Sequence, residues 1–322
     1  MALYLREEDV HRLLTMEEAI AAVEQALADL ALGRADNHPR MRSRARGAVL
    51  HTMGAVWERE EVMGFKAYSS VAGDARFLVG LFSLTSGELL ALMEGEWLGR
   101  VRTGAASGVA TRHMARADAA TLGVLGTGRQ AETQVLAVCA VRPIREVKVY
   151  GRDPRRREDF CRRLEGRVAA RLVPVLRPEE AAEADVVCTA TSAREPLFPG
   201  EAVRAGTHVN AVGSNAWLRR EIDDQLVERA AVIAVDDAQQ ARVEAGDLIW
   251  PAERGRLSWH RVVELGHIVA GRAVGRTGPE DITLFSSQGI ALEDVAVAAR
   301  VLRRAQEEGA GQVLEFRGMW HH

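Results

Sequence analysis

Gly126, Gly128 and Ala131 stand at the spacing G-x-G-x-x-A, a pattern whose chemistry is the holding of a pyrophosphate. A short apolar run, residues 122–125, enters Gly126-Thr127-Gly128, and residues 129–138 follow with helical character. That order is the strand, turn and helix of a dinucleotide-binding unit. Glycine at 126 allows a tight turn, glycine at 128 lets the backbone approach a pyrophosphate, and Ala131 keeps helix and strand close. The N–H groups that open the helix then face the phosphates, where the helix dipole favours negative charge.

Lys66 is the second chemical signal. Of 42 basic residues only Lys66 and Lys148 are lysine; the rest are arginine. Arginine keeps its proton at any relevant pH, whereas a buried lysine shifts its pKa and can trade protons. Lys66 lies in VMGFKAYS, an apolar strand-like run where a solvated charge is out of place, so a catalytic or substrate-holding role is expected. Lys148, in VKVYG, has no other chemical residue nearby and reads as an ordinary snorkelling charge. Two arginines sit in suggestive surroundings: Arg40 after Pro39, and Arg102 in VRTGAASGVATRHMA, where small residues allow tight helix packing. A guanidinium fork pairs with a carboxylate through two hydrogen bonds. Forty arginines, however, make neither one distinctive on chemistry alone.

Short apolar runs alternating with helical segments must position the glycine turn. Strands are expected at residues 146–150, 172–175, 184–191, 207–212 and 231–235, with a helix at 154–164. Such alternation implies a parallel sheet covered on both faces. The loops at the carboxyl ends of its strands, Thr189-Ala190-Thr191 and Gly213-Ser214-Asn215 among them, line the cofactor crevice of such a fold. Before this unit, residues 16–32 form an amphipathic helix and residues 47–57, 61–70, 76–84 and 89–94 read as consecutive strands. Thr85-Ser86-Gly87-Glu88 makes a hairpin turn between the last two. Residues 289–308 form a closing amphipathic helix. The fold class is α/β: a Rossmann dinucleotide-binding domain plus an α+β domain with an antiparallel sheet.

Composition bounds the function. At 322 residues, two domains are expected, and a formal net charge of −3 with 27% charged residues gives no basic excess for nucleic acid. No apolar run approaches a membrane span, and the opening MALYLREEDVHRLL has early acidic residues and no signal core. Cys139, Cys161 and Cys188 are odd in number and widely spaced, as in a reduced cytoplasmic protein, with no zinc spacing. No metal site is expected; the closing Trp320-His321-His322 is too short to argue for one.

Several segments in order, HPRMR, GFKAYS, VRTGAASGVATR, GVLGTGRQAETQ, VGSN with RREID, and FSSQGIALEDVAVA, give the chain a resemblance to the ornithine cyclodeaminase/μ-crystallin family over nearly its whole length. The resemblance implies a substrate-binding and dimerisation domain from residues 1–116 with 289–322, and a Rossmann domain from 117–288. It also implies a homodimer joined through the N-terminal sheets and a small 2-amino or 2-imino acid as substrate. By position, Arg40 and Arg102 would grip the substrate carboxylate, and Lys66 would sit beside the carboxylate and the imine nitrogen. Arg42 is close enough in sequence to exchange roles with Arg40. Thr103, Gly126, Thr127, Gly128, Arg129 and Gln130 would contact the dinucleotide phosphates, and Ala190 and Thr191 would lie near the adenosine half.

Three departures from the family pattern bear on function. Where the ornithine-cyclising members carry an aspartate that acts on the distal amine, this chain has Asn215, which cannot take up that proton. His51, in HTMGA where a proline commonly follows the methionine, is open to two readings, proton donor or structural strand residue. Arg152 stands where NADP-preferring members place an arginine for the 2′-phosphate, while Asp153 keeps NAD open. The expected function is therefore an NADP- or NAD-dependent oxidoreductase interconverting a small 2-imino acid and its 2-amino acid, with NADP favoured. The alternatives are an ornithine cyclodeaminase and a non-catalytic crystallin-like binding protein.

Overall fold

Largely apolar runs, AVLHTMGAVW, VMGFKAYSSV, DARFLVGLFS and LLALME, build the first sheet. The computed structural model describes residues 2–316, so Trp320, His321 and His322 lie outside the described residues. The chain opens with β1 (Ala2–Leu5), α1 (Glu7–Leu13) and α2 (Met16–Ala31). Thr15 and Glu18 close a capping box at the start of α2, satisfying backbone donors at both ends of the first turn. There follow β2 (Ala35–Asn37), β3 (Met41–Ala45), β4 (Ala48–Trp57), β5 (Val62–Val71), β6 (Asp74–Ser83), β7 (Leu89–Glu94) and α3 (Glu96–Met114). The four long strands fall within a few residues of the expected ones. One face of them carries Met53, Trp57, Val79, Leu81 and Met93, all buried.

The nucleotide-type unit begins at β8 (Thr121–Leu125) and α4 (Arg129–Val141), then β9 (Glu146–Tyr150) and α5 (Pro154–Leu164). Its further strands are β10 (Arg171–Pro174), β11 (Val186–Thr189), β12 (His208–Ala211), β13 (Ala230–Val235), β14 (Val262–Glu264) and β15 (Ile282–Ser286). All pair in parallel, in the order β10-β9-β8-β11-β12-β15-β13-β14. Strand order reverses between β8 and β11, the switch point where such folds open a crevice. Two apolar cores cover its faces, one holding Val124, Val135 and Phe160, the other Val187, Leu226 and Ile233.

The chain closes with a C-terminal helix, Ala291–Glu308, and β16 (Gln312–Leu314), both of which join the first sheet. That sheet runs β16-β1-β7-β6-β5-β4-β2, with β3 also on β4; it is antiparallel except where β1 pairs with β7. The helix packs on α2, β4, β5 and β6.

Two compact units result: one runs from the N-terminus to Arg102 and resumes at Ile290, the other is Thr103–Gly289. The first boundary, expected after residue 116, falls instead inside α3. The reason is packing of its second half: a Cβ on Gly104 would meet the Thr133 carbonyl at 2.5 Å. Arg142 also donates to the carbonyls of Thr111, Arg112, Ala115 and Arg116, closing the helix end. Among the described residues, no helix is long and apolar enough to cross a membrane, and no cluster of three or more His, Cys, Asp or Glu residues could hold a metal.

Candidate active site

Register decides where Lys66 points. On β5 it stands opposite Met53 of β4 and Val79 of β6, on the face that the C-terminal helix covers, and it is only 3% exposed. Its Nζ donates to Asp294 Oδ1 at 2.7 Å. Asp294 and Glu293 occupy the first turn of the C-terminal helix, both fully buried. The same Oδ1 accepts from Arg102 Nε at 3.2 Å, and Arg102 Nη1 donates to Glu293 Oε2 at 2.9 Å. Two cations and two carboxylates thus form one buried group; each alone would cost several kcal/mol to desolvate. Gly99, one turn before Arg102, leaves room for the ammonium, because a Cβ there would lie 2.9 Å from Lys66 Nζ.

Burial pulls the Lys66 ammonium down to about 8; Asp294 holds it up and Arg102 pulls it further down. A group titrating so near neutrality can give and recover a proton within the working pH range. Asp294 Oδ2 is buried without a hydrogen-bond partner, an arrangement that costs about 1–3 kcal/mol and is uncommon in a packed core.

The neighbouring row on the same face is Arg42, His51, Tyr68 and Phe77. The His51 ring stacks on Tyr68 at 4.1 Å and 6°, Tyr68 lies 5.0 Å from Phe77, and the Phe77 ring centre is 5.5 Å from Lys66 Nζ. Burial, then the charges of Arg42, Arg40 and Arg44, hold His51 down to about 4. At neutral pH His51 is therefore uncharged and poorly suited to be the acid; of its two readings, the stacked strand residue has the support of the geometry. Arg40, in the turn before β3, exerts its charge on both Lys66 and His51. The field of Arg42 acts on His51, its partner in register.

In the second unit, a cavity of about 770 Å³ opens at the carboxyl ends of β8, β9 and β11. Gly126, Thr127, Gly128, Arg152, Ala190 and Thr191 line it. Thr103, Arg129 and Gln130 are not on its wall: Thr103 is buried on α3, and the other two are exposed in the first turn of α4. Gly126 has φ +120°, and a Cβ there would meet the Ala190 carbonyl at 2.5 Å. Gly128 is different. Its φ is an ordinary −86°, and a Cβ would find no protein atom within 4 Å. Neither backbone nor packing calls for glycine at 128, and a glycine there leaves room for a ligand to approach the backbone. The N-cap of α4 is Gly128, which has no side chain to cap the helix, and a helix N-terminus favours an anion. The donor set fits a dinucleotide.

Glu221 was legible only as part of a motif, yet it joins the loops after β11 and β12. It accepts from Thr189 Oγ1 at 2.7 Å, Thr191 N at 2.6 Å and Gly213 N at 2.7 Å. Asp247 Oδ1 in turn accepts from the Glu221 and Ile222 amides at 2.7 and 3.1 Å. Burial and then the charge of Glu221 push Asp247 up to about 7. Asn215 is exposed in the loop after β12. Arg156, part of the arginine run that follows Arg152 and Asp153, also lines the cavity, and so does Arg194, which had no sequence signal beyond one more arginine in an arginine-rich chain. Glu293 and Asp294 were missed too, since acidic residues opening a helix already have a reason in its dipole. Their signal was the apolar run Val295–Ala299 directly behind them, which left no solvated face in that turn.

A parallel sheet with a glycine turn at its first crossover, in a chain whose other unit holds a buried lysine–arginine–carboxylate group, defines a two-unit protein with a dinucleotide-binding fold. The profile of the Ornithine cyclodeaminase/mu-crystallin family matches residues 2–309, and the chain belongs to that family. It is 36% identical over 273 residues to a Delta(1)-pyrroline-2-carboxylate reductase of Bacillus cereus, spanning 82% of this chain and 84% of that one. Among solved structures it is similar to the Thermococcus litoralis Delta(1)-pyrroline-2-carboxylate reductase in complex with NADH and L-proline. There the TM-score is 0.93 and the identity 34%, over 97% of this chain and all (100%) of that one. An archaeal alanine dehydrogenase dimer with bound NAD matches with TM-score 0.92 and 33% identity, over 98% and 99% of the two chains.

Proposed function

We propose that the protein reduces a small 2-imino acid, a cyclic ketimine such as Δ1-pyrroline-2-carboxylate or the imine of a 2-oxo acid, to the 2-amino acid, and runs the reverse oxidation. The observation that carries this reading is the buried Lys66, its Nζ bonded to the same Asp294 oxygen that accepts from Arg102. Arg102 and Arg40 hold the substrate carboxylate and so orient the α-carbon. Lys66 hydrogen-bonds the imine nitrogen and delivers its proton there. The reduced dinucleotide, bound by Gly126–Gln130 with Thr103, Ala190 and Thr191, supplies the hydride.

For the dinucleotide itself, NADP is favoured. Arg152 and Arg156 both line the cavity at the end of β9, a fit to a 2′-phosphate. Asp153, the residue that would select a ribose 2′-hydroxyl, has Oδ1 engaged in capping α5, accepting from Arg155 N at 2.9 Å and Arg156 N at 3.2 Å. A homodimer is also part of the reading. The sheet face opposite Lys66 carries Met41, Leu50 and Val71 exposed, at 69%, 48% and 52%, beside half-buried Phe65 and Phe82. A second copy of this face would cover that apolar surface.

The test is NADPH consumption with Δ1-pyrroline-2-carboxylate, with proline measured in the same sample. Stoichiometric oxidation and proline formation are expected, and Lys66→Met should retain dinucleotide binding while losing turnover. Binding of NADPH without turnover of any imine by the wild type would favour a non-catalytic protein instead.

A further inference from the structure

The geometry points to Asp294 as the positioning residue for the proton-donating group: one carboxylate oxygen, shared between Lys66 Nζ and Arg102 Nε, sets where the ammonium stands and keeps it charged. This rests on the reading of Lys66 as the proton donor. Asp294 Oδ1 lies 2.7 Å from the ammonium and 3.2 Å from the guanidinium. Such a short, fully buried link is much stronger than an exposed ion pair. Sharing one oxygen also fixes the two cations relative to each other, which repulsion alone would drive apart. Arg102 has a second carboxylate in Glu293, whereas the hydrogen bond found for Lys66 goes to Asp294. The two cations are therefore unequally dependent on Asp294, and Lys66 depends on it more.

The charges that face Lys66 come from every neighbouring element. Asp294 and Glu293 approach from the C-terminal helix, Arg102 from α3, and Arg40 from the turn before β3. The strands contribute the Phe77 ring from β6 and uncharged His51 from β4. Two positive charges and burial thus work against the ammonium, and Asp294 is the attractive charge in direct contact. Removing it without changing shape leaves the opposing set intact.

The test uses the scarcity of lysine. With two lysines in 322 residues, the full chain labelled with 13Cε-lysine gives two side-chain signals, and Lys148→Arg assigns them. In Asp294→Asn the Lys66 midpoint should fall by about one pH unit or more relative to wild type. The alkaline limb of the kcat–pH profile for imine reduction should move with it, lowering kcat at pH 8 roughly fivefold or more, while KM changes little because Arg102 keeps Glu293. An unmoved Lys66 midpoint in a folded Asp294→Asn protein overturns the inference, and so does a midpoint that falls without the kcat profile following. If the asparagine variant does not fold, Asp294→Glu takes its place. With the charge retained, its midpoint should stay near wild type while kcat drops from displacement of the ammonium; a midpoint lowered by a unit overturns the inference. The lysine signals titrate whether or not an imine is reduced, so failure of the proposed function is read separately, as a wild type without turnover.

Discussion

Lys66 and Asp294 are separated by 228 residues in the chain and by 2.7 Å in space. A strand of the N-terminal sheet supplies the cation, and the first turn of the C-terminal helix supplies the anion. The whole second unit, Thr103–Gly289, lies between them in sequence. The ion pair thus joins the two chain segments that make up the first unit. A carboxylate at the start of a helix is favoured there by the dipole, so Asp294 is stabilised before it meets the lysine.

Titration of Lys66 predicts the pH dependence of the reaction. With Lys66 as the proposed proton donor, imine reduction would need its ammonium, and burial places that titration at about 8. kcat/KM for reduction should therefore be level below that pH and fall about tenfold per unit above it. Oxidation of the amino acid needs the neutral amine and should rise over the same range. Initial rates in both directions from pH 6 to pH 10 check both limbs; a reduction rate that climbs through pH 8 would remove Lys66 as the acid.

Much of this architecture is legible in the sequence, for physical reasons. Consecutive apolar runs separated by turn residues marked β4 to β7, and the glycine turn marked β8 and α4, because such local patterns report strands and turns. Lys66 stood out because a charge that survives in an apolar strand needs a partner. Its partner did not stand out. Asp294 is explained locally by its helix, and only tertiary packing shows that the helix start is buried. Glu221 is similar: its three donors come from two loops that meet through the sheet order β11-β12, which no local pattern encodes. The unit boundary inside α3 was hidden because a helix gives no composition break where its packing partner changes.

The two glycines of the phosphate turn should respond differently to one methyl group. Gly126→Ala forces φ +120° on a residue with a side chain and drives its Cβ against the Ala190 carbonyl, so stability should drop by about 1–3 kcal/mol. Gly128→Ala meets no protein atom within 4 Å and should fold within about 0.5 kcal/mol of wild type. Its dinucleotide Kd should nevertheless rise roughly tenfold, a loss of about 1.4 kcal/mol. Thermal melts beside fluorescence titration with NADPH separate the effects. Unchanged NADPH affinity in Gly128→Ala would count against a pyrophosphate at that position.

Asn215 tests the boundary with the cyclising chemistry. Cyclisation needs the distal amine to give up its proton and attack the α-carbon imine, which expels the α-nitrogen as ammonia, and an amide side chain cannot take up that proton. The residue is exposed, so Asn215→Asp should leave stability nearly unchanged. If position 215 is the one that matters, the variant gains measurable conversion of L-ornithine to L-proline with catalytic NAD, followed by ammonia release. A folded variant with no gain would show that the deciding base belongs elsewhere.

His208 should govern part of the stability at low pH. It is fully buried in β12, with Nδ1 2.9 Å from Thr283 Oγ1 and Nε2 3.1 Å from Asn210 Oδ1, and burial pushes it down from 6.5 to about 3. Between those values the unfolded chain binds a proton that the folded ring refuses, so stability is lost as pH falls through this window. From pH 7 to pH 5 the loss attributable to His208 comes to about 2 kcal/mol. His51 titrates in an overlapping range, which is why the informative comparison is with His208→Gln, where only this contribution disappears. Urea midpoints at the two pH values should therefore separate less in the variant than in wild type, even if the variant is less stable at both. An equal separation would mean that the folded protein accommodates the charged His208 ring, and that its hydrogen bonds to Thr283 and Asn210 rearrange to do so.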